Sequence, residues 1–421
     1  MTENKKFSLA HAQQLDNADP LKKWRDQFHI PMQKNGKPFV YMCGNSLGLQ
    51  PKSTKSYLDQ ELLDWRNLGV EGHFHAKNPW MPYHEFLTEK MAKVVGAKPI
   101  EVVIMNTLSV NLHLMMASFY RPTSSRYKIV IESDAFPSDK YAVESQAKFH
   151  GYKNAIIELT PREGEVLLRQ EDIDRVIETQ GDEIALILLG CPNYYTGQVF
   201  DMAHITKLGH AKGCVVGFDL AHGAGNLHLQ LHESNVDFAT WCTYKYLNSG
   251  PGSVGGCFIH ERHAHDFDLP RFAGWWGHNK ETRFKMRDGF DPIPGAEGWQ
   301  LSNPPILSLA AIMASLDIFD EVGMTALNEK SKALTGYMEE LIDYINDERI
   351  QIITPRDIKQ RGCQLSIQVK SADKTLFDKI TEAGVIADWR EPDVIRVAPV
   401  PLYNSFEDVF HFVDILKSQL N

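Results

Sequence analysis

At 421 residues, with 43% hydrophobic and 23% charged residues, the chain has the composition of a globular protein of two domains, which excludes extended disorder. Its net charge of −10 repels phosphate backbones, so nucleic acid is excluded as an expected partner. The start, MTENKKFSLAHAQQLD, has no apolar stretch of signal-peptide length, and no run reaches the roughly 18 apolar residues of a membrane span; a cytoplasmic protein with no membrane partner is expected.

Residues 1 to about 50 are polar and end in YMCGNSLGLQP (41–51), where Gly44, Asn45, Ser46, Gly48 and Pro51 spell a turn. YKIVIES (127–133) reads as a strand, KYAVESQAKFHG (140–151) as a helix closed by Gly151, and AIIELTP (155–161) as a strand. QEDIDRVIET (170–179) is helical, EIALILLG (183–190) a fully apolar strand, and AHITKLGHAKG (203–213) a helix. CVVGFDL (214–220), VDFATWC (236–242) and GSVGGCFIH (252–260) are further strands. Apolar strands alternating with helices predict an α/β fold, with a mainly parallel sheet covered on both faces.

After about residue 305 the pattern changes. Helices are predicted at 306–322 and 325–347, a strand at 363–370, and helices at 373–384 and 406–420. The expected division is an N-terminal arm (1–50) packing with the smaller unit, a large domain (51–305) and a small α+β domain (306–421). The six cysteines, Cys43, Cys191, Cys214, Cys242, Cys257 and Cys363, form no CxxC pair and read as reduced thiols.

Ligands of doubly wound sheets collect at the carboxyl ends of strands. Asp219 lies at the C-terminal end of CVVGFDL, and Lys245 lies just beyond VDFATWC, 26 residues later, a spacing that suits one strand–helix–strand crossover. A lysine that forms a Schiff base needs partial desolvation, and pyridoxal phosphate needs a carboxylate on its ring nitrogen. Alone, Lys245 would read as a solvated loop lysine and Asp219 as a helix N-cap; together they suggest a cofactor cleft. NTLSVNLH (106–113) opens an apolar helix whose start, at Leu108 and Ser109, could offer amides and a hydroxyl to a phosphate. AFPSDKYA (135–142) places Phe136 at a strand end, with Ser138 and Asp139 beside it. By itself Phe136 would be a core aromatic. The pairs His73/His75 and His263/His265 lack the further ligands a metal needs, so no metal is expected.

In this order, NTLSVNLH, AFPSD, YYTGQ, GFDLAH, TYKYLN, GWWGH, SNPP and IRVAPVPLYNSF resemble the kynureninases, fold-type-I pyridoxal-phosphate hydrolases. The likeness runs from GNSLG at 44–48 to the arginine-bearing strand near 396. It implies that Lys245 links covalently to the cofactor, that Asp219 holds the pyridine nitrogen, and that His222 lies close by. It implies that Phe136 stacks on the ring, supported by Asp139 next to Ser138, and that Leu108, Ser109 and Tyr244 take the phosphate. Trp275 and Asn303 match positions that reach the site from the second subunit of a homodimer. Arg396 matches the arginine that receives the substrate's α-carboxylate, a role its planar fork suits. Ser46 and His73 are expected at the substrate.

The implied reaction is hydrolysis of L-kynurenine or 3-hydroxy-L-kynurenine to L-alanine and the corresponding anthranilate. His73 and Asn303 imply a preference for the hydroxylated substrate, because a buried phenol needs a polar partner. Where many relatives have a hydroxyl residue, this chain has Gly190. Another superfamily enzyme, such as a cysteine desulfurase or an aminotransferase, is the alternative activity, but no cysteine has a mobile-loop setting. A non-catalytic binding protein is the other, opposed by intact Lys245, Asp219 and Arg396.

Overall fold

The computed structural model describes residues 5–286 and 288–420. The N-terminal arm contains helix α1 (Leu9–Ala18), capped by the Ser8 hydroxyl on the His11 amide, and strand β1 (Val40–Tyr41). Helices α2 (Thr54–Leu68), α3 (Gly72–His75) and α4 (Glu85–Val95) follow, then strand β2 (Val102–Ile104). Alternation proper begins with α5 (Leu108–Phe119), β3 (Lys128–Glu132), α6 (Pro137–Phe149) and β4 (Ile156–Leu159). It continues through α7 (Gln170–Gln180), β5 (Ile184–Gly190), α8 (Met202–Ala211) and β6 (Val215–Asp219), then β7 (Phe238–Trp241) and β8 (Gly256–Ile259).

These strands form one seven-stranded sheet in the order β2-β8-β7-β6-β5-β3-β4. Only β8 runs antiparallel to its neighbours. Alternate residues of β5 enter opposite cores: Ile187 and Leu189 belong to the core that takes in buried residues of α4, α7, α8 and α9 (Ile306–Val322), and Leu186 and Leu188 to the core that takes in α5 and α6. That is why the strand reads as continuously apolar. Burying one such leucine contributes about 2 kcal/mol. The chain leaves β3 for β4 on one side and returns to β5 on the other, so the order reverses beside β3. Such reversals open a crevice at the carboxyl ends of the strands.

The predicted helix between Asp219 and Lys245 is not formed. Residues 221–227 make turns and 228–237 an irregular link, although β6 and β7 are parallel neighbours with Asp219 opposite Thr240. Gly223 and Gly225 interrupt the segment, and Gly225 has φ +79, which disfavours a helix.

The C-terminal part comprises α10 (Met324–Ile345), β9 (Ile350–Ile352), β10 (Leu365–Val369) and α11 (Lys374–Glu382). It closes with β11 (Val385–Ile386), β12 (Asp388–Arg390), β13 (Val394–Val397) and α12 (Phe406–Leu420). Its sheet has the order β12-β13-β10-β9 and shares a core with Ala12 of α1 and Met42. Asp16 of α1 accepts the Phe406 and Glu407 amides at 2.8 and 3.0 Å, so the arm caps α12. A buried Lys330–Asp19 pair at 2.7 Å ties α10 to the same arm. Helix α9 buries Leu309, Ile312 and Leu316 in the core of the large sheet.

Candidate active site

The carboxyl ends of β3, β5 and β6 deliver Glu132, Gly190 and Asp219 to one cleft of about 720 Å³, partly open to solvent. The start of α5 adds Thr107, Leu108 and Ser109, and the start of α6 adds Phe136, Ser138 and Asp139. Pro192, Tyr194, Ala221, His222, Tyr244 and Lys245 complete the wall. Two helix N-termini thus converge: α5 brings the amides of Leu108 and Ser109, whereas α6 starts at Pro137, which has no N–H, and its Asp139 amide already donates to the Phe136 carbonyl at 2.9 Å, leaving the Ser138 amide. The Ser109 and Ser138 hydroxyls join them at 3.0 Å.

Lys245 is held from the N-terminal arm. The Gly48 amide donates to the Tyr244 carbonyl at 2.8 Å, and a Cβ at 48 would overlap the Lys245 carbonyl, so the turn GNSLG packs on the lysine segment only with glycine there. Lys245 Nζ lies 3.0 Å from His222 Nε2. Burial and the charge of Lys245 hold the imidazole well below its usual pKa, so it is neutral. An Nε2 that accepts from an ammonium leaves the ring proton on Nδ1, which is buried without a partner among the described residues.

Three carboxyls share this interior. Burial raises Asp219, opposed by Asp139, the Ala221 amide at 2.7 Å and Lys245. Burial and the Asp219 charge push Asp139 well above its ordinary range, so within the pair Asp139 holds the proton. Glu132 is pushed up to about 7 by burial, although the Gly190 amide donates to it at 3.0 Å. A Cβ at 190 would meet that same Glu132 oxygen at 3.0 Å and no other atom within 4 Å. With no side chain at 190, Glu132 lines the cleft while remaining buried.

These features fit pyridoxal phosphate. Asp219 is a buried carboxylate with Lys245 as its cation, Asp139 Oδ1 is buried and unpartnered, helix starts await an anion, and the Phe136 ring is 45% exposed at the cleft. Sequence reasoning missed Glu132, Thr107, Pro192, Tyr194 and Ala221. A lone acid or tyrosine next to a strand end carries no distinguishing pattern, although YYTGQ did mark the tyrosine's neighbourhood.

Five expected site residues lie outside this wall. Ser46 and Asn303 are exposed. His73 sits with Nδ1 2.9 Å from the Val70 carbonyl, edge-on to Trp80. Trp275 stands half exposed against Phe284. Arg396 is buried behind Tyr194, with its guanidinium 5.7 Å from that ring. The segment bearing Trp275 and Asn303 is fastened to α4: Glu297 meets His84 at 3.2 Å and Lys280 at 2.8 Å, and Lys280 also meets Glu85 at 2.8 Å.

The comparisons fall on this arrangement. The family described as "Kynureninase C-terminal domain" matches residues 327–416. Kynureninase of Myxococcus xanthus is 60% identical over 412 residues, 97% of each chain. That of Koribacter versatilis is 60% identical over 410 residues and that of Flavobacterium psychrophilum 57% over 415, again covering 97% of each chain. The chain belongs to the kynureninase family. Kynureninases are pyridoxal-phosphate enzymes, and the cleft's residues fit that cofactor. Among solved structures, the cysteine desulfurase CsdA of Escherichia coli superposes with a TM-score of 0.77 at 17% identity, over 95% of this chain and 98% of that one. A cystine C–S lyase in complex with cysteine persulfide gives 0.75 at 16%, over 90% and 97%. Identities this low speak to the fold alone, which is the fold-type-I α/β arrangement.

Proposed function

We propose that this protein is a kynureninase that hydrolyses L-kynurenine or 3-hydroxy-L-kynurenine to L-alanine and the matching anthranilate, within tryptophan and kynurenine catabolism or NAD biosynthesis. The observation that carries this is full-length identity of 54–60% to kynureninases, joined to a cleft that unites Lys245, His222 and Asp219. Lys245 would link to pyridoxal phosphate, Asp219 would pair with its ring nitrogen, and Phe136 would pack on the ring. Leu108, Ser109 and Tyr244 would hold the phosphate, and Arg396 would receive the substrate's α-carboxylate.

The bound cofactor supplies an electron sink for the carbanion formed at the substrate's Cα. The chain's residues do the rest. Asp219, kept ionised by its protonated neighbour Asp139, fixes a positive charge at the ring nitrogen. Lys245 Nζ, once released, removes the Cα proton as a general base. His222, neutral and 3.0 Å away, accepts a hydrogen bond from that amine and holds it in place. Water adds at the γ-carbonyl, and the Cβ–Cγ bond breaks: the acyl carbon leaves as the carboxyl of the anthranilate, and the electron pair left on Cβ takes up a proton to complete alanine. Incubation of the pure protein with each kynurenine should release alanine, and the holoenzyme should absorb above about 400 nm. A binding protein would release no alanine, and a protein without the lysine-linked cofactor would lack the absorption.

The same reading makes the enzyme a cytoplasmic homodimer, with Trp275 and Asn303 completing the partner's site, and with Ser46 and His73 at the substrate. It divides the chain into an arm (1–50), a large domain (51–305) and a small domain (306–421). No helix among the described residues is long and apolar enough to cross a membrane. A preference for 3-hydroxykynurenine follows if His73 and Asn303 bind the phenol. The ratio of kcat/KM for the two substrates, in the unsubstituted enzyme and in His73→Phe, tests it.

A further inference from the structure

Strands β12 and β13 run antiparallel and set Asp388 opposite Arg396. The carboxylate meets the guanidinium side-on. Arg396 Nη2 donates to Oδ2 at 2.7 Å and Nε to Oδ1 at 3.3 Å. Arg396 Nη1 donates to the Tyr194 carbonyl at 2.6 Å. A guanidinium has five N–H donors, and three are now used. One is left on each terminal nitrogen, a pair that one carboxylate can accept together. The Arg396 side chain is 1% exposed, so packing fixes this orientation.

A second arginine shares the acid. Arg390 Nη2 donates to Asp388 Oδ2 at 3.1 Å. Both guanidiniums lie by the Tyr194 ring, at 5.7 and 5.8 Å, and that ring meets Phe136 edge-on at 5.3 Å within the cleft that holds Lys245. Two cations and one carboxylate leave a single positive charge. One monocarboxylate neutralises it. Without Asp388 the pair would carry two charges, a setting that favours a dianion such as sulfate. An amide of the same size would pack equally well between the strands, so packing does not explain the acid.

We propose that Asp388 is a positioning residue that determines specificity: it aligns Arg396 for the substrate's α-carboxylate and reduces the two-arginine cluster to the charge that one monocarboxylate cancels. This rests on the reading that Arg396 receives that carboxylate.

The test uses the holoenzyme, the variants Asp388→Asn, Asp388→Glu and Arg396→Gln, kynurenine as substrate, and acetate and sulfate as competing anions. In Asp388→Asn, KM should rise about tenfold with kcat within about threefold, because the lost alignment weakens binding and not chemistry. Sulfate should inhibit that variant about tenfold more strongly than the unsubstituted enzyme, with acetate little changed. Asp388→Glu keeps the charge but shifts the fork. It should raise KM with no gain in sulfate inhibition, and it serves as the test should the Asn variant not fold. Unchanged KM and sulfate inhibition in Asp388→Asn would overturn the proposal. So would a lower KM there, which would mean that Asp388 competes with substrate for the fork. If Arg396→Gln itself leaves KM unchanged, the reading of Arg396 fails and takes the proposal with it. A KM raised in Arg396→Gln but unmoved in both Asp388 variants refutes the proposal alone.

Discussion

Lys245 and Asp219 act as a pair only because β6 and β7 lie side by side, and each is informative for a different physical reason. Lys245 is an amine brought beside a neutral imidazole at 3.0 Å, and Asp219 is an acid whose pKa burial raises while Asp139, the Ala221 amide and Lys245 act against that rise. Borohydride reduction of the holoenzyme and peptide mapping should label Lys245; a label on another lysine would remove it from the role. Asp219→Asn should fold and lose turnover by at least about a hundredfold, since an amide cannot hold a charge at the ring nitrogen. Near-normal turnover would exclude Asp219. Glu132 gives a pH-dependent test. Its folded pKa of about 7 lies above the ordinary 4.5, so the stabilisation from binding this proton is complete below pH 4.5 and lost as pH rises through 7. Glu132→Gln keeps an acceptor for the Gly190 amide and removes the buried charge. At pH 8 it should stabilise the cofactor-free protein by about 3 kcal/mol, with little effect near pH 4.5. Equal effects at both pH values, measured by denaturant unfolding, would contradict the assignment. Lys245 and Asp219 were legible in the sequence because each follows an apolar strand. Glu132 also ends one, but an acid there reads equally well as the first solvated residue.

The elements that hold the site are uneven in how they show themselves. The central strands were legible because two-sided burial makes them continuously apolar, and α12 at 406–420 was read to its ends. Helix α4 carries Leu87, Met91, Val94 and Val95 at helical spacing, a signal that was present in the sequence though not assigned. Helix α1 gave less, because it buries only Ala12 and Asp16, and its link to α12 runs through a carboxylate cap that no periodicity encodes. The 221–237 link was misjudged for a different reason: a parallel connection fixes where its ends lie, and turns can span it as well as a helix. The 275–303 segment depends on ionic fastening. Burial disfavours the Glu297 charge, but His84 and Lys280 outweigh it and hold its pKa at about 2, below the ordinary 4.5. The resulting stabilisation is present above pH 4.5 and lost as pH falls through 2. Glu297→Gln should therefore cost on the order of 3 kcal/mol at pH 7 and little near pH 2. A loss that stayed constant with pH would point to packing and not to charge.

At the scale of the whole molecule, single-chain geometry leaves large apolar surfaces in solvent. Trp65, Val70 and Phe74 are 61%, 72% and 59% exposed along α2, α3 and the turn between them, and Trp275 and Leu307 are also open. Exposed apolar side chains in such number call for a covering surface, and a closed two-fold dimer is the commonest one. The expected partner-reaching residues, Trp275 and Asn303, lie outside the wall of their own chain's cleft, as residues given to a neighbour would. Their segment is nevertheless pinned to α4 by Glu297, His84 and Lys280, which suits a part that must keep its shape across an interface. If each site takes Lys245 from one chain and Asn303 from the other, Lys245→Ala and Asn303→Ala homodimers are both impaired. Subunit exchange between them makes mixed dimers in which one site carries both lesions and the other carries none. An equal mixture after full exchange should recover about a quarter of the unsubstituted activity, because half the dimers are mixed and each has one intact site. If both residues served the same chain's site, every site in the mixture would keep one lesion and activity would stay at the average of the two variants. Activity assayed before and after exchange, with mixed dimers counted by mass spectrometry, separates these outcomes.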